Sequence, residues 1–192
     1  QGFLAGRLGR LFTLQAIAFL FQPGGVVAFP RNAAAAVQFQ NPSGHVVEKI
    51  PVVGDGDDRE LLVRLVQDLA LGDRVFFPGW LADMESAFRS ADLFVFPSVS
   101  EGFALVLAEA MACGLPCLSY DCKVGPSEII RHEVDGVLVP VGDEGAFTSA
   151  MLRLAEDEAE LQRLADGCPA ILDRLAESTV QPLWAQVLSQ KR

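Results

Sequence analysis

From residue 48 to residue 140, short apolar runs alternate with stretches whose apolar positions recur every three or four residues. "EKIPVVGDG" predicts a strand closed by a glycine turn. "DDRELLVRLVQDLAL" then places Leu62, Leu65, Val66 and Leu69 on one helical face. Asp57 and Glu60 stand at capping-box spacing at its start, and Gly72 follows its end. "RVFFPG" reads as a strand and "LADMESAFRSA" as a helix. "DLFVFPS" is a continuous apolar run, the pattern of a central strand covered on both faces. "FALVLAEAMAC" is the next helix, with Gly114 and Pro116 placed to stop it. "PCLSY" predicts a strand, "GPSEIIRH" a short helix and "DGVLVPV" another strand. Residues 143–190 read as helices, with Gly167 and Pro169 between two of them.

Strand and helix in strict alternation with short connections predict an α/β fold: a Rossmann-like parallel sheet with helices on both faces. Ligands in such sheets bind outside the carboxyl ends of the strands. Three loops leave strands at that rim, "GDG", "SVSEG" and "DCKVGP", and they are expected to converge. Residues 11–47 do not fit the alternation. Arg31 is their single formally charged residue, and they show no clean period. The expected organisation is therefore a first strand and Gly-Arg turn at 1–10, an atypical low-charge segment at 11–47, and a ligand-binding domain with C-terminal helices at 48–192.

Composition narrows the chemistry. The 192 residues carry a formal net charge of −10, which argues against nucleic acid or an anionic membrane surface as the main partner. Four cysteines, Cys113, Cys117, Cys122 and Cys168, form no CxxC pair, and only His45 and His132 could join them. No metal site is expected, and the cysteines read as small buried apolar residues. The longest apolar segment, "LFTLQAIAFLF" at 11–21, is too short to span a bilayer. A reduced, cytoplasmic setting is the default for such a chain. Gln1 is not a start methionine, which suggests a fragment of a longer chain.

The helix "FALVLAEAMAC" poses a sharper question. Its only ionisable residue is Glu109, and a helix apolar on every side is expected to be buried. A buried carboxylate needs a donor. A structural salt bridge would meet that need, and so would a ligand. Glu101 and Gly102 lie just before the helix, and glycine lets backbone approach a ligand closely. The free first-turn amides of residues 103–106 and the positive end of the helix dipole form an anion site suited to phosphate. Carboxylates on either side of an anion cradle match a ligand with hydroxyls, phosphates and hydroxyls in that order.

"EGFALVLAE" is the E-x7-E pattern of retaining GT-B glycosyltransferases, and its wording resembles the GT4 family. "VVGDGDDRELL" and the run from "DRVFFPGWLADMESAF" through "EVDGVLVPVGD" are similar to that family's C-terminal, nucleotide-sugar-binding domain. The resemblance implies that the chain is the C-terminal half of a GT-B fold, with the N-terminal acceptor domain absent from it. Glu101 would hold the donor sugar's hydroxyls near the reacting carbon, as the catalytic residue. Gly102 and the amides of Phe103, Ala104, Leu105 and Val106 would meet the sugar or diphosphate. Glu109 would accept from the ribose, and the loop with Phe77, Gly79 and Trp80 would receive the nucleobase. Arg7, in "AGRLGRLFT", would meet the diphosphate. No cofactor or metal is implied, because protein cations and the helix dipole serve the leaving group.

The implied activity is transfer of a hexose or N-acetylhexosamine from a nucleotide sugar, UDP before GDP, to a glycan or lipid-linked acceptor. "SYDCKVGPSEII" is similar to bacterial members that build lipopolysaccharide, capsule or glycan repeats, which places the work in the cytoplasm or at the inner face of the membrane. Two positions depart from the pattern. The family's lysine after the Gly-Arg element is Phe12 here. Lys123 stands where related members carry proline; it is either a solvated loop lysine or a partial replacement for the missing cation. Two other classes stay open: a non-catalytic nucleotide-sugar-binding remnant or half of a split enzyme, and a nucleotide-sugar epimerase. "GDGDDRE" is no dinucleotide fingerprint, because Arg59 stands at the third glycine. His132 reads as a surface residue, Trp184 as a packing anchor and "EDEAEL" as a solvated helix face.

Overall fold

A computed structural model describes residues 34–37, 50–53 and 59–189. Its elements are β1 (Ala34–Val37), β2 (Ile50–Val53), α1 (Arg59–Asp68), β3 (Val75–Gly79), α2 (Met84–Arg89), β4 (Leu93–Phe96) and α3 (Leu105–Ala112). These are followed by β5 (Cys117–Asp121), α4 (Pro126–Ile129), β6 (Gly136–Pro140), α5 (Glu144–Glu156), α6 (Glu158–Gly167), α7 (Ala170–Arg174) and α8 (Glu177–Ser189). The strands form one sheet in the order β3-β2-β1-β4-β5-β6.

Side-chain alternation divides the core between the two faces of the sheet. All four residues of β4 are buried. Leu93 and Val95 point to one side, where Leu62 and Val66 of α1 and Phe147, Met151 and Leu154 of α5 cover them. Phe94 and Phe96 point to the other, under Phe88 of α2, Leu107, Ala110 and Met111 of α3 and Ile171 of α7. Phe88 meets Phe94 edge-on at 5.3 Å between ring centroids. Two faces covered by helices explain why this strand is a run of apolar residues and not an alternation.

The expected parallel arrangement holds for five of the six strands, and β1 is the exception. β2 and β3 run parallel, as do β4, β5 and β6. β1 runs antiparallel to both of its neighbours, β2 and β4. It falls inside the segment 11–47 that showed no period. A parallel neighbour requires a crossover, usually helical, whereas an antiparallel one does not. The sequence joining β1 to β2, "QFQNPSGHVVEK", carries Pro42 and Gly44 and is poor helix material. Residues 1–10, with the expected first strand and Arg7, lie outside the described residues, as do Asp57 and the "GDG" turn.

The helix boundaries follow local chemistry. α3 ends as expected: Gly114 at φ 81° lets Leu115 N–H reach the Ala110 carbonyl and Gly114 N–H the Met111 carbonyl. α1 ends earlier than expected, because Ala70 at φ 54°, not Gly72, takes the left-handed position. "EDEAEL" is largely exposed, as expected, but it spans a helix break: Asp157 caps α6 by accepting from Glu160 N–H at 2.9 Å. Trp184 is no packing anchor either. It is 63% exposed, and α8 buries none of its residues. Among the described residues no helix is long and apolar enough to cross a membrane.

Candidate functional site

The carboxyl ends of β4 and β5 bring two loops together. After β4, Pro97 is buried, and Ser98 and Glu101 are half-buried. Ser98 Oγ donates to Glu101 Oε1 at 2.5 Å. After β5, the loop through Cys122, Lys123, Val124 and Gly125 packs on the first. Gly125 sits at φ +102°, and a Cβ there would meet the Phe103 carbonyl carbon and oxygen at 3.0 Å. The Cys122 thiol is pushed up from its ordinary value by burial and then by the neighbouring Glu101 carboxylate. The expected convergence therefore holds for "SVSEG" and "DCKVGP".

The same loop sets the start of α3. Ala104 adopts left-handed backbone, φ 61° and ψ 51°, and caps the helix with no side-chain hydrogen bond. That conformation costs a non-glycine residue about 1 kcal/mol. The first helical hydrogen bond is the short one from Leu107 N–H to the Ala104 carbonyl at 2.9 Å. The amides of Leu105 and Val106 precede it and have no acceptor within the helix. An ideal Cβ on Gly102 would meet nothing within 4 Å, so the space beside it is open. An uncapped helix start facing open space is suited to an anion.

Glu109 corrects a second expectation: it is exposed, not buried. α3 covers the core with Leu107, Ala108, Ala110 and Met111, while Leu105 is 58% exposed and Val106, Ala112 and Cys113 are half-buried. One face of this apolar helix is open. Glu109 makes no hydrogen bond or ion pair among the described residues, so the salt-bridge reading has no partner there.

That open face walls a cleft of about 570 Å³ between α2 and α3. Trp80 forms its lip at 86% exposure, and Met84, Phe88, Arg89, Glu109 and Cys113 contribute to its lining. Gly79 at φ 74° turns the chain out of β3 just before Trp80. Arg89 is held by Glu85 at 2.8 Å. Phe77 faces elsewhere. Its ring packs with the core on the α1 side, where Arg59 lies 5.8 Å from the ring centroid and donates to the Phe77 carbonyl at 3.3 Å.

The structure thus places the sequence-derived residues in two adjoining groups. Glu101, Gly102, Phe103 and Ala104 gather at the β4 exit, with Leu105 and Val106 opening the helix. Trp80 and Glu109 share the cleft. Lys123 is exposed on the adjoining loop, with no ion pair among the described residues. Arg7 lies outside the described residues. Ser98, Met84, Arg89 and Cys113 were not anticipated. The spacing of Ser98 and Glu101, three residues apart, is a local hydrogen-bonding signal that could have flagged the first. Among the described residues no group of three or more His, Cys, Asp or Glu is placed to hold a metal ion.

Comparison with known proteins agrees with this geometry. The family model for glycosyl transferases group 1 matches residues 26–157. The chain is 35% identical over 140 residues to the lipopolysaccharide core biosynthesis glycosyltransferase LpsD of Rhizobium meliloti, covering 72% of this chain and 40% of that protein. It is 36% identical over 143 residues to the exopolysaccharide phosphotransferase SCO2592 of Streptomyces coelicolor, covering 74% of this chain and 15% of the relative. The chain therefore spans well under half the length of either. Among solved structures, Anabaena HepE in complex with UDP and glucose superposes with a TM-score of 0.64 at 28% identity. That match covers 73% of this chain and 40% of HepE. The α/β fold with helices on both faces is the one these GT-B glycosyltransferases share, and the chain belongs to the glycosyl transferases group 1 family.

Proposed function

We propose that this chain is the donor-binding domain of a retaining glycosyltransferase that takes a hexose or N-acetylhexosamine from a UDP-sugar. The observation that carries the reading is Glu109. It is an exposed carboxylate without a hydrogen-bond or ion-pair partner among the described residues, one turn beyond an uncapped helix start and inside a cleft lipped by an indole. The ribose hydroxyls donate to Glu109, the nucleobase lies by Trp80 and Gly79, and the diphosphate meets the amides of Leu105 and Val106. The sugar reaches Glu101 past Gly102, with the Phe103 and Ala104 backbone beside it. Arg7 and the helix dipole stabilise the departing diphosphate without a metal ion. HepE, with UDP and glucose bound, supports the choice of uridine.

The acceptor, a glycan or lipid-linked sugar in polysaccharide or lipopolysaccharide synthesis, meets the donor through a second domain outside this chain. The work takes place in the cytoplasm, at or near the inner face of the membrane. Phe12 favours a second reading, a unit that holds donor without transferring it, because the family's lysine is missing there. Calorimetric titration of the 192-residue chain with UDP, GDP and ADP tests the donor site. UDP is expected to bind most tightly. No binding of any of the three at millimolar concentration overturns the proposal. If UDP binds but UDP-sugars undergo no turnover with a supplied acceptor domain, the second reading replaces the first.

A further inference from the structure

We propose that Ser98 is a positioning residue that fixes the Glu101 carboxylate and through it sets the sugar selectivity of the donor site. The inference rests on the reading of Glu101 as the acceptor for sugar hydroxyls. Its geometric basis is the 2.5 Å bond from Ser98 Oγ to Glu101 Oε1, at the short end of the range for a hydroxyl donor. The two ends of that bond differ in rigidity. Ser98 follows a strand whose four residues are all buried, and the intervening Pro97 is buried too, with its φ fixed by the ring. Glu101 sits on a loop with exposed Val99 and Ser100 before it and exposed Gly102 after it. Left to itself, a glutamate there samples many rotamers, and ordering it on binding costs free energy. The serine transmits the order of the sheet to the carboxylate before any ligand arrives.

The bond also divides the carboxylate's two oxygens. Oε1 is engaged by Ser98, and Oε2 has no hydrogen bond among the described residues. A carboxylate held by one oxygen presents the other at a defined place, so it favours the sugar whose hydroxyl arrives there. On the β5 loop beside it, Cys122 Sγ donates to the Val124 carbonyl at 3.5 Å. Ser98 is not part of the Trp80–Glu109 cleft lining, so its effect is expected on the sugar portion of the ligand and not on the nucleotide.

The test compares wild type, Ser98→Ala and Ser98→Thr by calorimetry with UDP, UDP-glucose, UDP-galactose and UDP-N-acetylglucosamine, alongside thermal unfolding. Ser98→Ala is expected to bind UDP as wild type does. It should bind the preferred UDP-sugar about fivefold more weakly, with a narrower spread among the three sugars. Ser98→Thr, which keeps the hydroxyl, is expected to restore the wild-type pattern. If Ser98→Ala binds the UDP-sugars like wild type, the positioning role is wrong. If it loses UDP and UDP-sugar equally, Ser98 is only a structural part of the loop. Should wild type bind UDP but gain nothing from any attached sugar, the Glu101 assignment fails while the nucleotide site stands. Absence of UDP binding by wild type removes the donor site itself.

Discussion

Gly125 and Phe103 join two loops beyond the carboxyl ends of β4 and β5: an ideal Cβ on Gly125 would lie 3.0 Å from both the carbonyl carbon and the oxygen of Phe103. The glycine is needed twice over, for this approach and for its φ of +102°. Neither obstacle is the end of a flexible side chain, so neither yields easily. Gly125→Ala is expected to lower the unfolding free energy by about 2 kcal/mol and to weaken UDP-sugar binding by displacing residues 101–104. Urea unfolding and calorimetry together check this. An unchanged urea midpoint would show that the two loops move independently.

Glu109→Gln keeps the shape of the side chain and removes its charge. Because Glu109 is exposed and unpaired among the described residues, the substitution should leave unfolding free energy within about 0.5 kcal/mol of wild type. UDP affinity should fall about tenfold, as expected for loss of a charge-assisted hydrogen bond. The opposite pattern, lost stability with UDP binding intact, would return Glu109 to a structural role.

Trp80 gives the cleft an optical probe. The chain has two tryptophans, Trp80 and Trp184, and both are exposed. With Trp184→Phe, all tryptophan emission comes from Trp80, and UDP is expected to quench it in a saturable way. With Trp80→Phe, the remaining emission should not respond. Trp80→Ala should weaken UDP by about 1 kcal/mol if the base stacks on the indole. A Trp80-only variant whose emission ignores saturating UDP would remove the nucleobase from this loop.

Stability should decline in alkaline solution. Burial pushes the Cys168 thiol up to about 12, and burial together with Cys168 and Asp135 pushes Cys117 well above its ordinary value. In the unfolded chain both thiols lose their protons near pH 8.5, while the folded chain keeps them. The folded state then binds more protons, so the stabilisation is complete below about pH 8.5. It is lost as pH rises toward the folded values, by up to about 1.4 kcal/mol per pH unit for each thiol. Urea unfolding at pH 8 and pH 10.5 should show the fall, and Cys168→Ala should make it shallower. Equal stability at the two pH values would mean that these thiols ionise as readily folded as unfolded.

The strands and helices from residue 50 onward were legible because their periodicities are local. "LFVF" reads as a doubly covered strand since no polar residue interrupts it, and Gly114 with Pro116 marks a helix stop that the backbone obeys. The E-x7-E pair was legible for the same reason: Glu101 and Glu109 lie on a strand exit and the helix that follows it. β1 was not legible. "AAAV" carries no alternation, and its direction depends on pairing with β2 and β4, neighbours distant in sequence.

By itself, then, the sequence determined the alternation of elements, the α/β class and the two carboxylates around a helix start, because each depends on residues within a few positions of one another. Tertiary structure alone decided which face of α3 stays open. The run "FALVLAEAMAC" is apolar all round and predicts burial on every side, yet only the Leu107–Met111 side meets the sheet. Exposure is a property of what packs against a surface, and that partner is remote in the chain. For Glu109 this changes the chemistry: it is an accessible acceptor in a cleft with Trp80, with no ion-pair partner among the described residues.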